Sequence, residues 1–430
     1  MSVTHRSLSV AVESAFGSLS ASTGLPDNSG LTYTSIPCER DPIVVYGDPV
    51  VSERNDARDG AYGLPPEPDT VWSSGARVQR RTGQVSLRLD LTTIGSAADN
   101  YDSNYLGYLL GAGLLTAKHS VASDAVSSVV NVNSFEPTTS STNYAVGGIV
   151  GAELNGRAEY SAVTDNAAES AVTVSPAFSA GFTGTPTLRL MQTWFPGSRS
   201  VLGDRTHSLS FRVDGVNFRS YAYGCVLESL ALSLDNGRVM ADLTYQAALI
   251  QDDHGNAVGP IEPTYNSGAP AFFRGSYVVV SDAAPTSLTN ATTGDTLGRV
   301  ALDVEDFSFT ITNTLTPMGH SNSLLAMSDM EISDVDVELS LTLSTANSSL
   351  NSDFFNRQLR QVLVGMGPIG DGLGAAVMIP AAYLTGDASK YEVGGNDIVR
   401  QQLTYKASRF GGDVSESGAG NSPVRIALGV

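Results

Sequence analysis

The sequence predicts a mainly β protein: two similar β domains in tandem, each with one short helix, and a small β module inserted into the first. Three observations lead to this fold class. Alternating apolar and polar residues dominate the chain, helical spacing is rare, and one strand-and-helix pattern occurs twice. Alternation with a period of two indicates strands that bury one face and expose the other, which accounts for the β class.

The composition limits what such a protein can do. The chain has 430 residues, with 25 basic and 44 acidic side chains and a formal net charge of −19 at pH 7. Proteins that bind nucleic acid through its phosphates need patches of Lys and Arg, so this charge argues against that class. The apolar runs are too short for a membrane span, and 2 cysteines do not make a disulfide framework.

Several runs alternate clearly and are bounded by Gly, Asn, Asp or Pro, as strands usually are. They are Gln84–Thr93, His207–Val216, Cys225–Asn236, Arg238–Leu249, Val304–Thr314 and Met330–Ser344. Asn236 and Gly237 stand between two of these runs, and an Asn-Gly pair is a strong signal for a tight hairpin turn. We therefore expect a hairpin at this point.

Helical spacing occurs in two segments, Asn104–Leu115 and Asp353–Met366. In the second segment Phe355, Leu359 and Leu363 fall on one face of a helix. Each segment follows an alternating strand after a short polar linker. This spacing predicts one short helix in each domain.

An internal repeat supports the tandem arrangement. The stretch Ala76–Leu115 lies over Ala326–Gly365 without a gap, so that Leu87 meets Val337. The alternating residues and the helical residues of the two stretches then coincide. A repeat of this length indicates two copies of one structural unit.

A second match completes the repeat and sets the domain boundaries. Arg238–Ala247 resembles Ile398–Ala407, and both contain Leu-Thr-Tyr-x-Ala. Strand, helix and final strand therefore recur in the same order. We predict that residues 1–118 and 206–265 form the first domain and that residues 266–430 form the second domain, which ends in a C-terminal arm.

The first copy is interrupted at residues 119–205, where short alternating runs are joined by Gly, Asn and Ser turns. This pattern predicts a small inserted β module, which we expect on the outer surface. Two other segments look like arms. Residues 42–72 begin like a hairpin and become rich in Pro, Gly and Asp, and residues 409–430 end in an apolar peptide. Such a terminus either frays or pairs with a neighbour's sheet edge.

The run Met330–Ser344 places Asp334, Asp336 and Glu338 at every second position of its outward face. A calcium site needs oxygens that converge, whereas a straight strand spaces these carboxylates about 7 Å apart. A general acid and base need surroundings that separate their pKa values, and a face open to water does not provide them. A solvated face remains, either without a role or repelling an anionic partner.

No other pattern of residues points to chemistry. The 5 histidines lie far apart, and none is near a cysteine at the spacing of metal ligands. The sequence also lacks a serine nucleophile elbow. We therefore predict no catalytic residue, no metal ion and no cofactor.

Several stretches resemble the tail tube proteins of siphophages. They are VAVESAFGS near the start, the strand block His207–Ala247 with its Gly-Cys-Val and Asn-Gly motifs, and the strand Val304–Met318. The resemblance implies two tail-tube-type β-sandwich or barrel domains in a structural virion protein that is not an enzyme. Such tubes are stacks of rings with six β domains each, so a two-domain chain implies homotrimeric, pseudo-hexameric rings.

The resemblance also gives the acidic strand a role, because a channel lined with negative charge lets double-stranded DNA pass without sticking. The lumen-facing acids expected on this basis are Asp90, Asp334, Asp336 and Glu338. The inter-ring contact residues expected in the arm 42–72 are Asp48, Glu53, Arg54, Asp56 and Arg58. The implied partners are further copies of the chain, a tape-measure protein, and tail tip and tail terminator proteins, in a virion tail assembled in the bacterial host cytoplasm.

Two other classes remain as alternatives. One is another β-rich virion protein, such as a capsid decoration protein, which forms compact trimers rather than tubes. The other is a carbohydrate-binding adhesin, which needs a discrete aromatic patch. The aromatic residues amount to 7% and are scattered through the strands.

Overall fold

The structure is a computed structural model. It describes residues 6–18, 27–38, 43–53, 76–93, 101–154, 156–166, 171–179, 182–197, 205–215, 218–253, 271–273, 277–282, 300–319, 327–344, 350–367, 374–385, 391–393, 399–408 and 418–429. Within these residues the protein is mainly β, as the sequence predicts, and its α-helices are short.

The elements follow one another along the chain in four groups. The first group is β1 (Ser7–Glu13), β2 (Thr34–Ile36), β3 (Ile43–Glu53), β4 (Ala76–Asp90), α1 (Tyr105–Gly111) and β5 (Leu115–Ala117). The second group is β6 (Ser123–Asn131), β7 (Ser134–Pro137), β8 (Ile149–Leu154), β9 (Arg157–Asp165), β10 (Val172–Ser175) and β11 (Thr187–Leu190). The third group is β12 (Gln192–Phe195), β13 (Ser208–Gly215), β14 (Phe218–Asp235), β15 (Arg238–Ala247) and β16 (Leu249–Asp253). The fourth group is β17 (Tyr277–Asp282), β18 (Val300–Leu302), β19 (Val304–Gly319), β20 (Met327–Leu343), α2 (Asn351–Asn356), β21 (Arg360–Met366), β22 (Ala375–Leu384), β23 (Tyr391–Val393), β24 (Val399–Ala407) and β25 (Arg425–Leu428).

Two sets of strands are paired in the same way. In the first strand set the antiparallel neighbours are, in order, β2, β1, β13, β14, β15, β4 and β3. In the second strand set they are β18, β17, β21, β22, β24, β20 and β19. Each strand of one set therefore has a counterpart in the other. Both sets contribute to one buried apolar cluster, which includes Leu87, Phe211, Leu339 and Val362.

The register of these counterparts differs from the gapless sequence overlay. Leu87 lies opposite Leu243, whereas Leu403, the counterpart of Leu243, lies opposite Leu341. Leu87 therefore corresponds to Leu341, and the predicted match with Val337 is wrong. An alternating strand resembles itself after any even shift, so only the cross-strand pairing distinguishes the registers.

Strand β14 bends in the middle, and its two halves belong to two different layers of the first strand set. Its first half pairs with β13 and β16, and its second half pairs with β15 and β19. Gly224 lies at the bend with φ of 61°, in the left-handed region that is costly for residues with a Cβ. An added Cβ there would lie 2.9 Å from Ala248 and from Phe16. The chain thus needs glycine where it passes from one layer to the other.

The predicted helix at 104–115 is confirmed in a shorter form. The Asn104 side chain caps α1 by accepting a hydrogen bond from the Leu106 backbone N–H at 2.9 Å. The helix ends at Gly111, and Leu115 begins β5.

The predicted helix Asp353–Met366 is wrong over most of its length. Helix α2 stops at Asn356, and Arg357 adopts a left-handed conformation with φ of 49°. The following residues form β21, which is buried between β17 and β22. Backbone pairing on both sides stabilises the strand, and Phe355 is left 73% exposed instead of lying on a buried helix face.

The second group of strands forms a closed barrel in the order β10, β7, β6, β11, β8, β9. The barrel has its own apolar cluster, with Phe135, Tyr144, Phe178 and Phe182 fully or almost fully buried. It lies inside the predicted insertion 119–205. Strand β12, in the same segment, instead pairs with β25 and β5 in the large sheet.

The barrel is fastened to the second strand set through buried polar and apolar contacts. The Tyr160 hydroxyl donates to the backbone oxygens of Met366 at 2.9 Å and Gly367 at 3.1 Å. The Tyr160 ring occupies the space beside Gly365, where an added Cβ would lie 2.2 Å from it. The Ser175 hydroxyl donates to the Gln361 side chain at 2.9 Å. The barrel therefore packs on the outer side of the layer that contains β21.

The C-terminal peptide does not behave as the predicted free arm. Its residues form β25, which lies between β22 and β12 of the same chain. Ile426 and Leu428 are buried. The apolar peptide finds a sheet edge within its own chain, so neither fraying nor a contact with another copy accounts for it.

Candidate functional site on the long sheet

Seven strands continue from one strand set into the other and form what we call the long sheet: β3, β4, β15, β14, β19, β20 and β24. The connection is the pairing of β14 with β19, in which Leu232 lies opposite Phe309. One face of this sheet covers the core. Its apolar residues include Leu87, Leu89, Leu232, Leu243, Phe309, Leu339 and Leu341.

The opposite face is polar because each strand alternates. Hydroxyl side chains dominate it: Ser86, Ser229, Ser233, Thr244, Ser308, Thr310, Thr312, Ser340, Thr342 and Thr404. Two counterpart pairs are hydrogen-bonded across strands. Ser86 and Thr244 are 3.2 Å apart in the first strand set, and Ser340 and Thr404 are 3.4 Å apart in the second. This hydroxyl pair therefore occurs at equivalent positions in both strand sets.

The structure places the predicted acids on this polar face. Asp334, Asp336 and Glu338 lie on β20, and the side chains of Asp336 and Glu338 are 64% and 44% exposed. Asp90 lies on β4 with the same orientation relative to the core. Four strand spacings separate β4 from β20, or about 19 Å. The acids share a face and do not form one cluster.

The bases of the first strand set lie beside acids on this face. The Arg88 guanidinium is 3.5 Å from the Asp235 carboxylate and 3.9 Å from the Asp242 carboxylate. Arg238 is 3.1 Å from Asp90. Arg88 therefore does not present a free positive charge.

The second strand set has the same type of pairing on different strands. The Lys406 ammonium is 3.1 Å from Asp336 and 3.8 Å from Glu338, and Arg400 is 2.6 Å from Glu305. The hydrogen bond to Asp336 raises the pKa of Lys406, and the charges of Asp336 and Glu338 act in the same direction. Lys406 thus stays protonated at neutral pH.

The polar face has a negative balance among the residues whose side chains the structure describes. Its carboxylates are Asp90, Glu228, Asp235, Asp242, Glu305, Asp306, Asp334, Asp336 and Glu338, and its paired bases are Arg88, Arg238, Arg400 and Lys406. Exposed pairs of this kind contribute little to stability, because water and salt screen them. The main consequence of the arrangement is an anionic field over the sheet.

The predicted arm is described only in part. Asp48 and Glu53 lie on β3, which pairs with β4 as a hairpin. Arg54, Asp56 and Arg58 lie outside the described residues. The structure therefore places two of the predicted contact residues on one hairpin strand and leaves their role as a prediction.

The described residues contain no group of three His, Cys, Asp or Glu side chains that could hold a metal ion. Among the same residues, no helix is long and apolar enough to cross a membrane. The polar face offers charge and hydroxyl groups on a broad surface. It can repel an anionic polymer or contact another protein.

Sequence reasoning missed a buried carboxylate next to the bend in β14. Glu13 accepts hydrogen bonds from the backbone N–H groups of Gly17 and Gly224, both at 2.9 Å, and from the Ser208 hydroxyl at 2.6 Å. Burial raises the pKa of the Glu13 carboxyl to about 7, although these bonds oppose the shift. Nothing in the sequence signalled this burial, because SLSVAVE alternates and places Glu13 on the polar face, whereas both faces of β1 are largely buried in the structure.

Two exposed apolar residues on β3 were also missed. Ile43 is 58% exposed and Val45 is 49% exposed. Both lie on β3, which pairs with β4 alone among the described strands. Their environment depends on strand order, which the local sequence does not contain.

Comparison with known protein families matches residues 137–407 to the family described as phage tail tube protein. The match begins in β7 of the barrel and ends with the last residue of β24. It covers more than half of the 430 residues. A search of curated proteins finds no match.

Proposed function

The chain belongs to the phage tail tube protein family, and on that premise we propose that it polymerises into stacked rings forming the hollow tube through which double-stranded DNA passes. It is a structural component of the virion tail. We assign it no catalytic activity. The observation that carries the proposal is the long sheet, which is apolar on its core side and acidic on the other.

Each strand set is, in this proposal, one tail tube domain. The support is the identical order of pairing in the two sets. The sequence boundaries are 1–118 with 206–265 for the first domain and 266–430 for the second, with 119–205 as the insertion. Three chains then supply the six domains of a ring, which is a homotrimer with pseudo-hexameric symmetry.

The polar face of the long sheet lines the lumen in this assembly. Asp90, Asp334, Asp336 and Glu338 then face passing DNA, and like charge prevents the phosphates from binding. Arg88, Arg238, Arg400 and Lys406 are consistent with this role, because each lies beside a carboxylate. The barrel lies on the opposite layer, on the outside of the tube.

Further contacts complete the tail in this proposal. The hairpin of β3 and β4, with the segment that follows Glu53, reaches from one ring to the next. The tube forms around a tape-measure protein and ends at tail tip and tail terminator proteins. Assembly takes place in the cytoplasm of the bacterial host.

Electron microscopy of the purified protein at rising concentration tests the function. We expect hollow tubes or rings, with three chains and six lobes in views down the axis. A reconstruction should show Asp336 and Glu338 facing the lumen and the barrel outside. Six chains per ring would retain the tube but overturn the two-domain assignment.

Compact solid particles at every concentration, even with tail tip components present, would overturn the tube. A capsid decoration protein would then be the better assignment if the particles were trimers. Binding to immobilised glycans would favour an adhesin.

A further inference from the structure

The two strand sets have equivalent strands, so the pairing that joins them can occur at two equivalent places. The chain itself contains this pairing once. Strand β14 of the first strand set pairs with β19 of the second over Ser229–Ser233 and Ser308–Thr312. The counterpart of β19 is β3, at one end of the long sheet. The counterpart of β14 is β22 continued by β23, and both of these strands pair with β24 at the other end. Among the described strands, β3 pairs with β4 alone and β23 pairs with β24 alone.

The counterparts can be identified residue by residue along rows of the sheet. One row joins Val44, Val85 and Tyr245 across β3, β4 and β15. The matching row joins Phe309, Leu339 and Tyr405 across β19, β20 and β24. Because Tyr245 and Tyr405 occupy the same place in Leu-Thr-Tyr-x-Ala, Val44 is the counterpart of Phe309.

The same procedure identifies the other edge. Ser233 lies opposite Met240, and Glu392 lies opposite Arg400, which is the counterpart of Met240. Glu392 is therefore the counterpart of Ser233. By the same pairing, Tyr391 is the counterpart of Leu232.

At both ends of the long sheet, large apolar side chains are exposed where a neighbouring strand could cover them. Ile43 and Val45 are 58% and 49% exposed on an edge strand, where β-branched side chains favour addition of another strand. At the other end, Tyr383 is 36% exposed. Its counterpart, Val226, is fully buried.

The hairpin of β19 and β20 covers Val226. Met327, Met330 and Ile332 pack against Val226 and Ala248 in one buried cluster. The counterpart of this hairpin is the hairpin of β3 and β4. Within its own chain that hairpin lies at the far end of the long sheet from Tyr383.

We propose that the hairpin of β3 and β4 of one copy docks on β22, β23 and β24 of a second copy, repeating the contact of β19 with β14. In this contact β3 runs antiparallel to β23, with Val44 opposite Tyr391 and Ile43 opposite Glu392. Backbone hydrogen bonds join the two edges, as in strand addition. The inference rests on the proposed ring, since ring closure fills both edges of every copy.

Engineered disulfides test this register in the full-length protein. The test variant carries Ile43→Cys and Glu392→Cys in a Cys38→Ser background, which leaves buried Cys225 as the native thiol. The matched control carries Ser233→Cys and Ser308→Cys, the counterpart positions within one chain, where the pairing already exists. A second control, Ile43→Cys with Tyr391→Cys, places one thiol on the opposite face of the sheet.

After oxidation of assembled protein, non-reducing gels should show covalent trimers for the test variant and monomers with an internal disulfide for the matched control. The one-residue mismatch should give at least tenfold less cross-linked product. Rings that assemble without covalent multimers, while the control disulfide forms, would overturn the register and leave the tube function standing. Covalent hexamers would retain the contact and overturn the three-chain ring. If neither rings nor multimers form at any concentration, the inference and the proposed function both fail.

Discussion

The hairpins β3–β4 and β19–β20 hold equivalent places on the long sheet but have different surroundings. Strand β19 lies between β20 and β14, whereas β3 has only β4 beside it among the described strands. Phe309 is fully buried, and its counterpart Val44 is half-buried. Equivalent positions in a repeated fold therefore differ in burial because of what adjoins the sheet.

The same difference appears on the polar face. Ser308 and Thr310 lie on β19 where the chain itself completes the sheet. Their counterparts on the edge strand are Ile43 and Val45, which are exposed. A polar residue suits a strand whose neighbours are present, and an apolar residue at an open edge calls for a neighbour from outside the chain.

The largest expected effect is a difference in the free energy of unfolding between equivalent substitutions in the two hairpins. Phe309→Ala should lower the free energy of unfolding by about 4 kcal/mol, because it leaves a cavity in the core. Val44→Ala should cost about 1 kcal/mol, because its side chain is only half-buried. Urea unfolding followed by circular dichroism measures both variants. Equal losses would show that the free hairpin is as well packed as the internal one.

The next prediction concerns pH and belongs to the first strand set alone. Strand β1 ends with Glu13, whereas its counterpart β17 ends at Asp282, the counterpart of Val12. The next residue in the sequence is Ala283, which has no carboxylate. The pKa of Glu13 is about 7 in the folded chain and 4.5 without the fold. Its protonated form is therefore favoured by folding, and the stabilisation present below pH 4.5 is lost as pH rises through 7. Between pH 5 and 8 this loss amounts to about 2 to 3 kcal/mol.

The Glu13→Gln variant isolates this contribution, because glutamine does not titrate. Burial lowers the pKa of His119 to about 4, which makes stability fall at acidic pH and partly masks the Glu13 effect in the unmodified protein. Subtracting the two pH profiles of unfolding free energy cancels the His119 contribution. Parallel profiles would contradict the assignment to Glu13.

The smallest expected effects on stability come from replacing a basic residue of the polar face by the residue type found at its counterpart position. Arg88→Thr introduces the residue found at the counterpart position, Thr342, and should cost about 1 kcal/mol, since the Arg88 pairs are partly exposed. Lys406→Gln introduces the counterpart of Lys406, Gln246, and should leave the unfolding curve unchanged within error. Measurements at low and high salt should show that the Arg88 effect shrinks as salt increases. A large effect at Lys406 would mean that its ion pairs are stronger than their exposure suggests.

Short-range pattern predicted the strands and only part of the helices. The run Met330–Ser344 alternates, and the structure extends it into β20. The segment Asp353–Met366 has helical spacing, yet its second half becomes β21. Spacing measures local amphipathicity. It does not include the backbone partners that β17 and β22 offer on either side.

The acids of the candidate site were predictable because a strand exposes alternate residues. Asp336 and Glu338 are on the exposed face that alternation assigns to them. Their pairing with Lys406 was not predictable, since it depends on β24 lying next to β20. The buried state of Glu13 depends in the same way on Gly224 and Ser208, which are distant in sequence.

By itself, the sequence determined the β class and the polar and apolar faces of the alternating strands, because these follow from residue type and a period of two. It also indicated a repeat. Tertiary structure alone decided the register of the repeat, the burial of the C-terminal peptide and which strand edges stay open. An alternating strand fits its neighbour in any even register, and its hydrogen-bonding groups accept any suitable partner. The choice among those partners is made by packing across the whole sheet, and no local stretch of sequence contains it.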